Sequence, residues 1–324
     1  MAVDLAAFVQ DMTHAFYEEV RNVSAAGWQR LTAAASSPGM DYKEARAWGI
    51  APMTAQSTSA KSSWAMGSGS ATTSPLSYDG NDTFTYKLIR DNPGLVMSRV
   101  RAQAANAMLG ISSAFWAVVA ACESTAHPLS TTSIIGNQGG GASSACFMVD
   151  AFTFYPLNSV SNFNQANLYG LSFSADAITT MLAARSEYLD RSGNPFNTGL
   201  NDELPFVIVP AEYRQLAEDI RAQRGLIYDG AGLQSGSFQE RTSGVVVPPG
   251  VASNSNWGLW YRERLVDEMG RAQYFGPVYP VINKTPTVEI AKIPGYAGVM
   301  IDVEVEFAIH TSLHVDLGLQ WSSP

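Results

Sequence analysis

Two histidines near the C-terminus, His310 and His314, stand four residues apart, and Asp316 follows two residues later. On a strand, residues two and four apart share a face, so the trio has a spacing that two zinc ligands and a carboxylate could use. The ordinary reading of that spacing is a set of polar residues on the exposed side of a strand. Upstream, Asp302, Glu304 and Glu306 share a face in the same way and could bind a cation. They suit a solvated or intersubunit edge better, since like charges side by side repel unless a partner is present. The glycine-rich run from Gly136 to Gly141 suggests phosphate binding, but no G-x-G-x-x-G register follows a clear strand there. The chain has no G-x-S-x-G elbow, no P-loop and no H-E-x-x-H. No catalytic residue, cofactor or metal ligand is assigned.

Composition points away from catalysis and toward contact. Of 324 residues, 46% are hydrophobic and 10% aromatic, enough for a large core in two domains or one elaborate one. Only 15% are charged, against about 25% in ordinary soluble domains. A surface so poor in charge is often one meant to be covered, so extensive subunit contacts are expected. The net charge of −9 excludes the basic footprint that sequence-specific nucleic-acid binding needs. An acidic inner wall would instead suit a container that holds DNA without gluing it down. Cys122 and Cys146 make no disulfide framework and no C-x-x-C, which fits a reduced, intracellular protein. Asp4, Asp11, Glu18 and Glu19 interrupt the opening segment, unlike a signal peptide.

The elements that must position these residues can be read in order. Residues 3–22 predict an amphipathic helix with Leu5, Phe8, Val9, Met12, Phe16, Tyr17 and Val20 on one face. That face can dock on the chain's own core or on a neighbouring subunit. Residues 36–56 read as an extended arm around Trp48. Residues 57–83 are rich in Ser, Thr and Gly, with Trp64 and Tyr78 as isolated aromatics and Asp79-Gly80 as a turn pair. Phe84, Tyr86 and Leu88 alternate as a returning strand would. Asn92-Pro93 then starts a long helix running to Glu123, about 45 Å long at 1.5 Å per residue. Its span from Ala102 to Cys122 carries no charge, yet Gln103, Asn106, Ser112 and Ser113 favour a buried crossing helix over a membrane span. Residues 125–145 and 225–244 read as Gly-rich loops, Val245–Pro249 as a strand, and Trp257, Trp260 and Tyr261 as one aromatic cluster. From Val299 to Ile309, apolar residues alternate with Met300, Asp302, Glu304, Glu306 and Ala308, the period of a strand with one wet face. Leu313, Val315, Leu317 and Leu319 continue that pattern.

Between Leu171 and Gln223 the reading is helix, turn, buried strand, helix. Ser174 is the N-cap, Asp176 sits in the first turn, and Ile178, Met181, Leu182, Ala184, Arg185, Tyr188 and Leu189 follow at helical spacing until Ser192–Pro195 breaks them. Leu204–Val209 is an unbroken apolar run with both faces covered, closed by Pro210. Tyr213, Leu216, Ala217 and Ile220 form the stripe of the second helix. The words A-x-x-x-M-L-x-A-R-x-x-x-L-D-x-x-G-x-P-F and P-F-V-I-V-P-x-E-Y-x-x-x-A-x-x-I, in that order, resemble the major capsid proteins of tailed bacteriophages, closest to the Mu-like major head subunit group. The run P-V-I-N-K-T-P-T-V-E from Pro280 resembles that family's penultimate strand. The run E-V-E-F-A-I-H-T-S-L-H-V-D-L-G-L-Q-W resembles its closing segment. Where the family often has a basic dipeptide, this chain has Asn283-Lys284.

The resemblance implies an α+β fold of the tailed-phage major capsid type. Residues 1–56 would be an N-terminal arm and 57–92 an extended loop laid over the next subunit. Residues 93–150 and 275–324 would be a peripheral domain with the spine helix, and 151–274 an axial domain. It implies a structural protein, not an enzyme, that assembles with itself into hexamers and pentamers of an icosahedral shell around double-stranded DNA held non-specifically. Its further partners would be a portal protein and separate scaffolding or decoration proteins, with no membrane. Its place would be the virion, after assembly in the host cytoplasm. Only about 56 residues precede the extended loop, fewer than the ~100 of an independent scaffolding fold, so an untrimmed chain is expected. Intersubunit contacts are expected at Trp64, Tyr78, Phe8, Phe16, Arg21, Glu304 and Glu306, with Arg21, Arg30 and Arg46 as partners for the carboxylates. Two other readings compete: an α+β enzyme with a site in the Gly-rich loops at 136–141 and 225–236, and a tube or ring protein of a tail or secretion apparatus.

Overall fold

A computed structural model describes residues 5–23, 27–37, 41–48, 67–122, 135–136, 152–154, 163–165, 167–188, 204–222, 226–229, 232–235, 242–248, 255–266, 272–292 and 294–324. The first part of the chain forms α1 (Leu5–Val23), a 3-10 turn (Gly27–Arg30), β1 (Tyr42–Trp48), β2 (Gly67–Thr73), β3 (Leu76–Thr85), α2 (Tyr86–Asp91) and α3 (Pro93–Ala121). The middle forms β4 (Ile135–Gly136), β5 (Phe152–Phe154), β6 (Phe163–Gln165), β7 (Leu168–Tyr169), α4 (Ala175–Ser186), β8 (Phe206–Ile208) and α5 (Arg214–Ala222). The rest forms β9 (Leu226–Asp229), β10 (Gly232–Ser235), β11 (Gly244–Val246), β12 (Trp257–Trp260), β13 (Glu263–Val266) and β14 (Ala272–Phe275). It closes with β15 (Val278–Lys292), β16 (Gly298–Thr311), α6 (Val315–Gly318) and β17 (Leu319–Ser322). The fold is mixed helix and sheet.

The organising strand is β16. Val299, Ile301, Val303, Val305 and Phe307 are buried, and the residues between them are half-exposed, so the sequence alternation is realised in register. β16 pairs antiparallel with β15 on one side and β3 on the other. Across the buried face lies α3, with Val96, Val100 and Ala104 meeting Val299, Ile301 and Val303 beside α1. Farther along, Met108, Ile111, Phe115 and Val119 meet Val305, Phe307 and the turn residues Trp28 and Leu31. By length and a mean hydropathy of 1.5, α3 could also cross a membrane. Its apolar stripe is instead used within the chain, leaving Leu95 and Leu109 half-exposed on the other side. Phe8, Met12, Ala15 and Phe16 of α1 are buried against α3, while Tyr17 turns outward.

A second sheet, ordered β11-β8-β12-β17-β7, is covered on both faces. Alternate residues of each strand enter different cores. Trp257, Leu259, Val207 and Val245 pack under α4 and α5. Trp260, Phe206, Ile208, Val246 and Trp321 pack toward α3. The expected aromatic cluster of Trp257 and Trp260 is thus split by strand alternation. Ser174 caps α4 by accepting from the Ala177 amide at 3.1 Å. That helix stops at Ser186, short of Tyr188, whose buried hydroxyl bonds Tyr169 and Gln320 and titrates far above the usual tyrosine range, chiefly through burial. Arg185 lies 3.5 Å from the centroid of the Tyr261 ring and donates to the Leu317 carbonyl. The strand Phe206–Ile208 is buried throughout, and Pro210 follows it as expected. On α5, Ala217 and Ile220 are buried but Leu216 is exposed.

Several local expectations are corrected. Asp79-Gly80 is no turn: both residues lie inside β3, opposite Glu304 and Val303. Tyr86 and Leu88 belong to α2, which starts when the Thr85 hydroxyl accepts from the Leu88 amide. Leu226–Asp229 and Gly232–Ser235 pair as a hairpin inside what reads as a loop. Leu313–Leu319 is a turn and the short α6 before β17, with all four leucine and valine side chains buried. Leu189, Ser192–Pro195, Gly139–Gly141 and Cys146 lie outside the described residues.

Gly258 on β12 faces Trp321 of β17, where an added Cβ would sit 2.5 Å from the indole Cε3 and 2.7 Å from the Gln320 carbonyl oxygen. Gly110, on the open side of α3, has nothing within 4 Å. Gly258→Ala is expected to lower stability by about 1–3 kcal/mol through overpacking. Gly110→Ala should leave it unchanged or raise it by up to about 1 kcal/mol. Urea denaturation of both variants checks the contrast.

Candidate functional site

β1 and β2 pair antiparallel from Tyr42↔Thr73 to Trp48↔Gly67 and, among the described residues, join no other sheet. A two-stranded ribbon is marginal in water by itself, so its order depends on how its base is held. The chain reaches that base along the edge of β15. The Ala33 amide donates to Tyr274, the Ala35 amide to Pro280, the Ile282 amide to Ala35, and the Ser37 amide to the Asn283 side chain at 3.0 Å. β1 therefore begins within the segment expected to be an extended arm.

At the base, Glu44 turns inward and is buried. One carboxylate oxygen lies 2.9 Å from His310 Nε2 and accepts from the Leu313 amide at 2.9 Å. The other accepts from the Ser312 hydroxyl at 3.2 Å. Thr73, opposite Tyr42 on β2, places its hydroxyl 2.7 Å from His310 Nδ1. The imidazole is walled by Tyr42 and Tyr279, with ring centroids 5.1 and 5.0 Å away. The two tyrosine hydroxyls meet at 3.0 Å. Nε2–H donates to Glu44 whichever charge the ring bears, and the Thr73 hydroxyl can donate or accept at Nδ1, so both ring states are satisfied.

Hydroxyl, imidazole and carboxylate in line resemble a nucleophile relay. The surroundings favour a clasp. His310 is 1% exposed, two tyrosine rings wall it, and both Glu44 oxygens already bind donors of the 312–313 turn. His310 does lie on the polar, even-numbered face of β16, as its spacing predicts. That face is not wet there, because the ribbon base covers it. His314 precedes α6 rather than extending the strand, so the two histidines do not share a face. Among the described residues no group of three or more His, Cys, Asp or Glu could hold a metal. Sequence reasoning missed Glu44. The available signal was the single carboxylate of a strand, Tyr42–Trp48, that also carries Lys43 and Arg46 in an otherwise charge-poor chain.

The acidic face of β16 finds its partners inside its own sheet. Lys284 of β15 pairs with Glu304, which also accepts from Ser77 of β3 at 3.1 Å. The Asn283 amide donates to Glu306 at 3.3 Å. Together the Lys284 and Ser77 contacts hold the Glu304 carboxyl below its usual range, Lys284 being the larger cause. Within the chain, then, the partner of Glu304 is a cross-strand lysine. Arg30 lies instead beside Gly244 of β11, Arg21 is exposed on α1, and the Arg46 side chain lies outside the described residues. Phe8 and Phe16 sit inside the chain's own core. Tyr78 stacks on Phe307 at 4.7 Å yet stays 46% exposed, beside Leu76 at 61%. Trp64 lies outside the described residues.

No family model matches the chain, and no curated protein matches it. Among solved structures it is similar to a virus-like particle from Pyrococcus furiosus, at 9% identity over 97% of this chain and 98% of that one, TM-score 0.47. It is similar to the capsid of the cyanophage P-SCSP1u, at 10% identity over 90% and 85%, TM-score 0.48. A structure of Microbacterium phage Oxtober96 matches at 10% identity over 91% and 90%, TM-score 0.49. With identities near a tenth and TM-scores below 0.5, function has to be argued from this chain's own residues.

Because Lys284 depresses the Glu304 pKa, their pair stabilises the fold above the carboxylate range and is lost as pH falls through the folded value. Glu304→Gln should lower the urea midpoint at neutral pH and low salt. The gap to the unsubstituted chain should close below about pH 4, and in high salt, where exposed pairs are screened. A gap that persists under both conditions would assign the loss to packing.

Proposed function

We propose that this chain is a structural shell subunit, a major capsid protein of the tailed-bacteriophage type. It assembles with itself into hexamers and pentamers of an icosahedral head enclosing double-stranded DNA. The observation that carries this reading is the ribbon of β1 and β2, which pairs with no other sheet and is pinned only at its base among the described contacts. An element built in this way is suited to reaching a neighbour. Three features support the reading. The capsid-like words between Leu171 and Gln223 fold as the helix, buried strand and helix that the resemblance implies. The long α3 backs the sheet of β3, β15 and β16 as a spine would. The charge-poor, acidic composition suits a covered surface and a wall facing DNA.

In this proposal the arm comprises the residues before Tyr42, and the extended loop is the ribbon 42–73. The peripheral part is α3 with β3, β15 and β16. The axial part is the five-stranded sheet with α4 and α5, to which the closing strand β17 also belongs. The subgroup is the Mu-like major head subunit group, from the wording of the two motifs. Trp64 and Tyr78, the latter half-exposed on β3 beside Leu76, are the intersubunit anchors in this reading, since aromatics dominate interface energetics. Portal, scaffolding and decoration proteins are the further partners, and the virion is the location.

The test replaces residues 50–65, which lie between β1 and β2 in the sequence, with a short Gly-Ser linker. The variant should unfold cooperatively at the same urea concentration as the full chain, and negative-stain microscopy should show no closed shells. Normal shells from it would rule out the ribbon as the intersubunit tie.

A further inference from the structure

Among the residues whose side chains are described, Glu44 is the only Asp or Glu that is buried, and it stands on a ribbon that joins no other sheet. Burying a carboxylate is costly, and a well-packed apolar residue would hold two surfaces together at least as well. A carboxylate with three donors from one turn supplies something packing does not, namely a direction. The His310 Nε2, the Leu313 amide and the Ser312 hydroxyl all belong to the end of β16 and the turn after it. Their positions are set by the β16 register and by Leu313 and Val315 in the core. From β2, Thr73 reaches the same imidazole. From β1, Tyr42 reaches the hydroxyl of Tyr279, the register partner of His310 on β15. Both ribbon strands thus converge on one side chain of the body.

We propose that Glu44, acting through His310, is a positioning residue that fixes the angle at which the ribbon leaves the body. The contact is a latch: breaking it releases the ribbon and leaves the body folded. The asymmetry of the structure requires this. Glu44, Thr73 and Tyr42 make the ribbon's polar contacts to the end of β16, whereas among the described side chains the three large cores include none from the ribbon. Only Tyr42 packs against the small cluster of Ala35, Tyr279 and Val281. The latch itself is independent of the shell-subunit reading; its consequence for assembly rests on that reading.

The test is hydrogen exchange on the full chain and on Glu44→Ala, Glu44→Gln and Thr73→Val. In Glu44→Ala, the amides that pair β1 with β2 should exchange at least about tenfold faster, while those of β8 and β12 keep their rates. Glu44→Gln should fall between, since its carbonyl can still accept from the turn. Thr73→Val removes one hydroxyl without changing side-chain shape and should loosen the ribbon least, in the same amides; it serves as the readout if Glu44→Ala fails to fold. Unchanged ribbon protection, or acceleration spread evenly through β8 and β12, would overturn the latch. Particle formation by the same proteins, seen in negative stain, reports separately on the shell reading. If the unsubstituted chain makes no particles, that reading fails and the exchange result still decides the latch.

Discussion

The alternation along β16 is the constraint on which the rest depends. Its odd-numbered residues, Val299 to Phe307, must be removed from water, and α3 is long enough to cover them from end to end. Once that strand is placed, its neighbours are determined. β15 and β3 complete the ladder, α1 seals the N-terminal half of α3, and the turn at Trp28 seals the other half. A one-residue slip would drive Asp302, Glu304 and Glu306 into the core, so the register is strongly specified. The even-numbered face divides the molecule functionally. Its middle carries carboxylates answered by Lys284 and Ser77, and its end carries the histidine that the ribbon base covers.

The three large cores are joined economically, one pair through α3 and another through the five-stranded sheet. Each residue pair along β8, β11 and β12 sends one side chain toward α3 and the next toward α4 and α5. Trp257 and Trp260 are therefore three residues apart and in different cores. Gly258 between them is small because the Trp321 ring lies flat where its side chain would be. Rigidity of this kind suits a body from which a ribbon is held out. Among its described side chains the ribbon contributes little apolar burial, and polar contacts of defined geometry take over where packing stops.

Elements with strong periodicity or clear caps are legible in the amino-acid sequence alone. The amphipathic α1, the Asn92-Pro93 start of α3, the Ser174 cap and the β16 alternation all follow from local physics. A local signal misleads where it competes with a distant partner. Asp79-Gly80 has turn chemistry, yet ladder pairing with Glu304 and Val303 keeps it extended. Phe84, Tyr86 and Leu88 alternate, yet the Thr85 cap starts a helix after the first of them. Leu313 to Leu319 alternate too, and are buried from all sides in a turn and short helix.

The sequence by itself determined which surfaces had to be dry, because periodicity and side-chain hydrophobicity are local properties. It determined the absence of familiar catalytic and phosphate-binding motifs, the acidic, charge-poor character, and the family resemblance of its short motifs. Only the tertiary structure decided which polar groups meet. Glu44 and His310 are 266 positions apart, and no local pattern encodes a contact at that separation. Likewise Lys284 meets Glu304 only because β15 and β16 pair antiparallel.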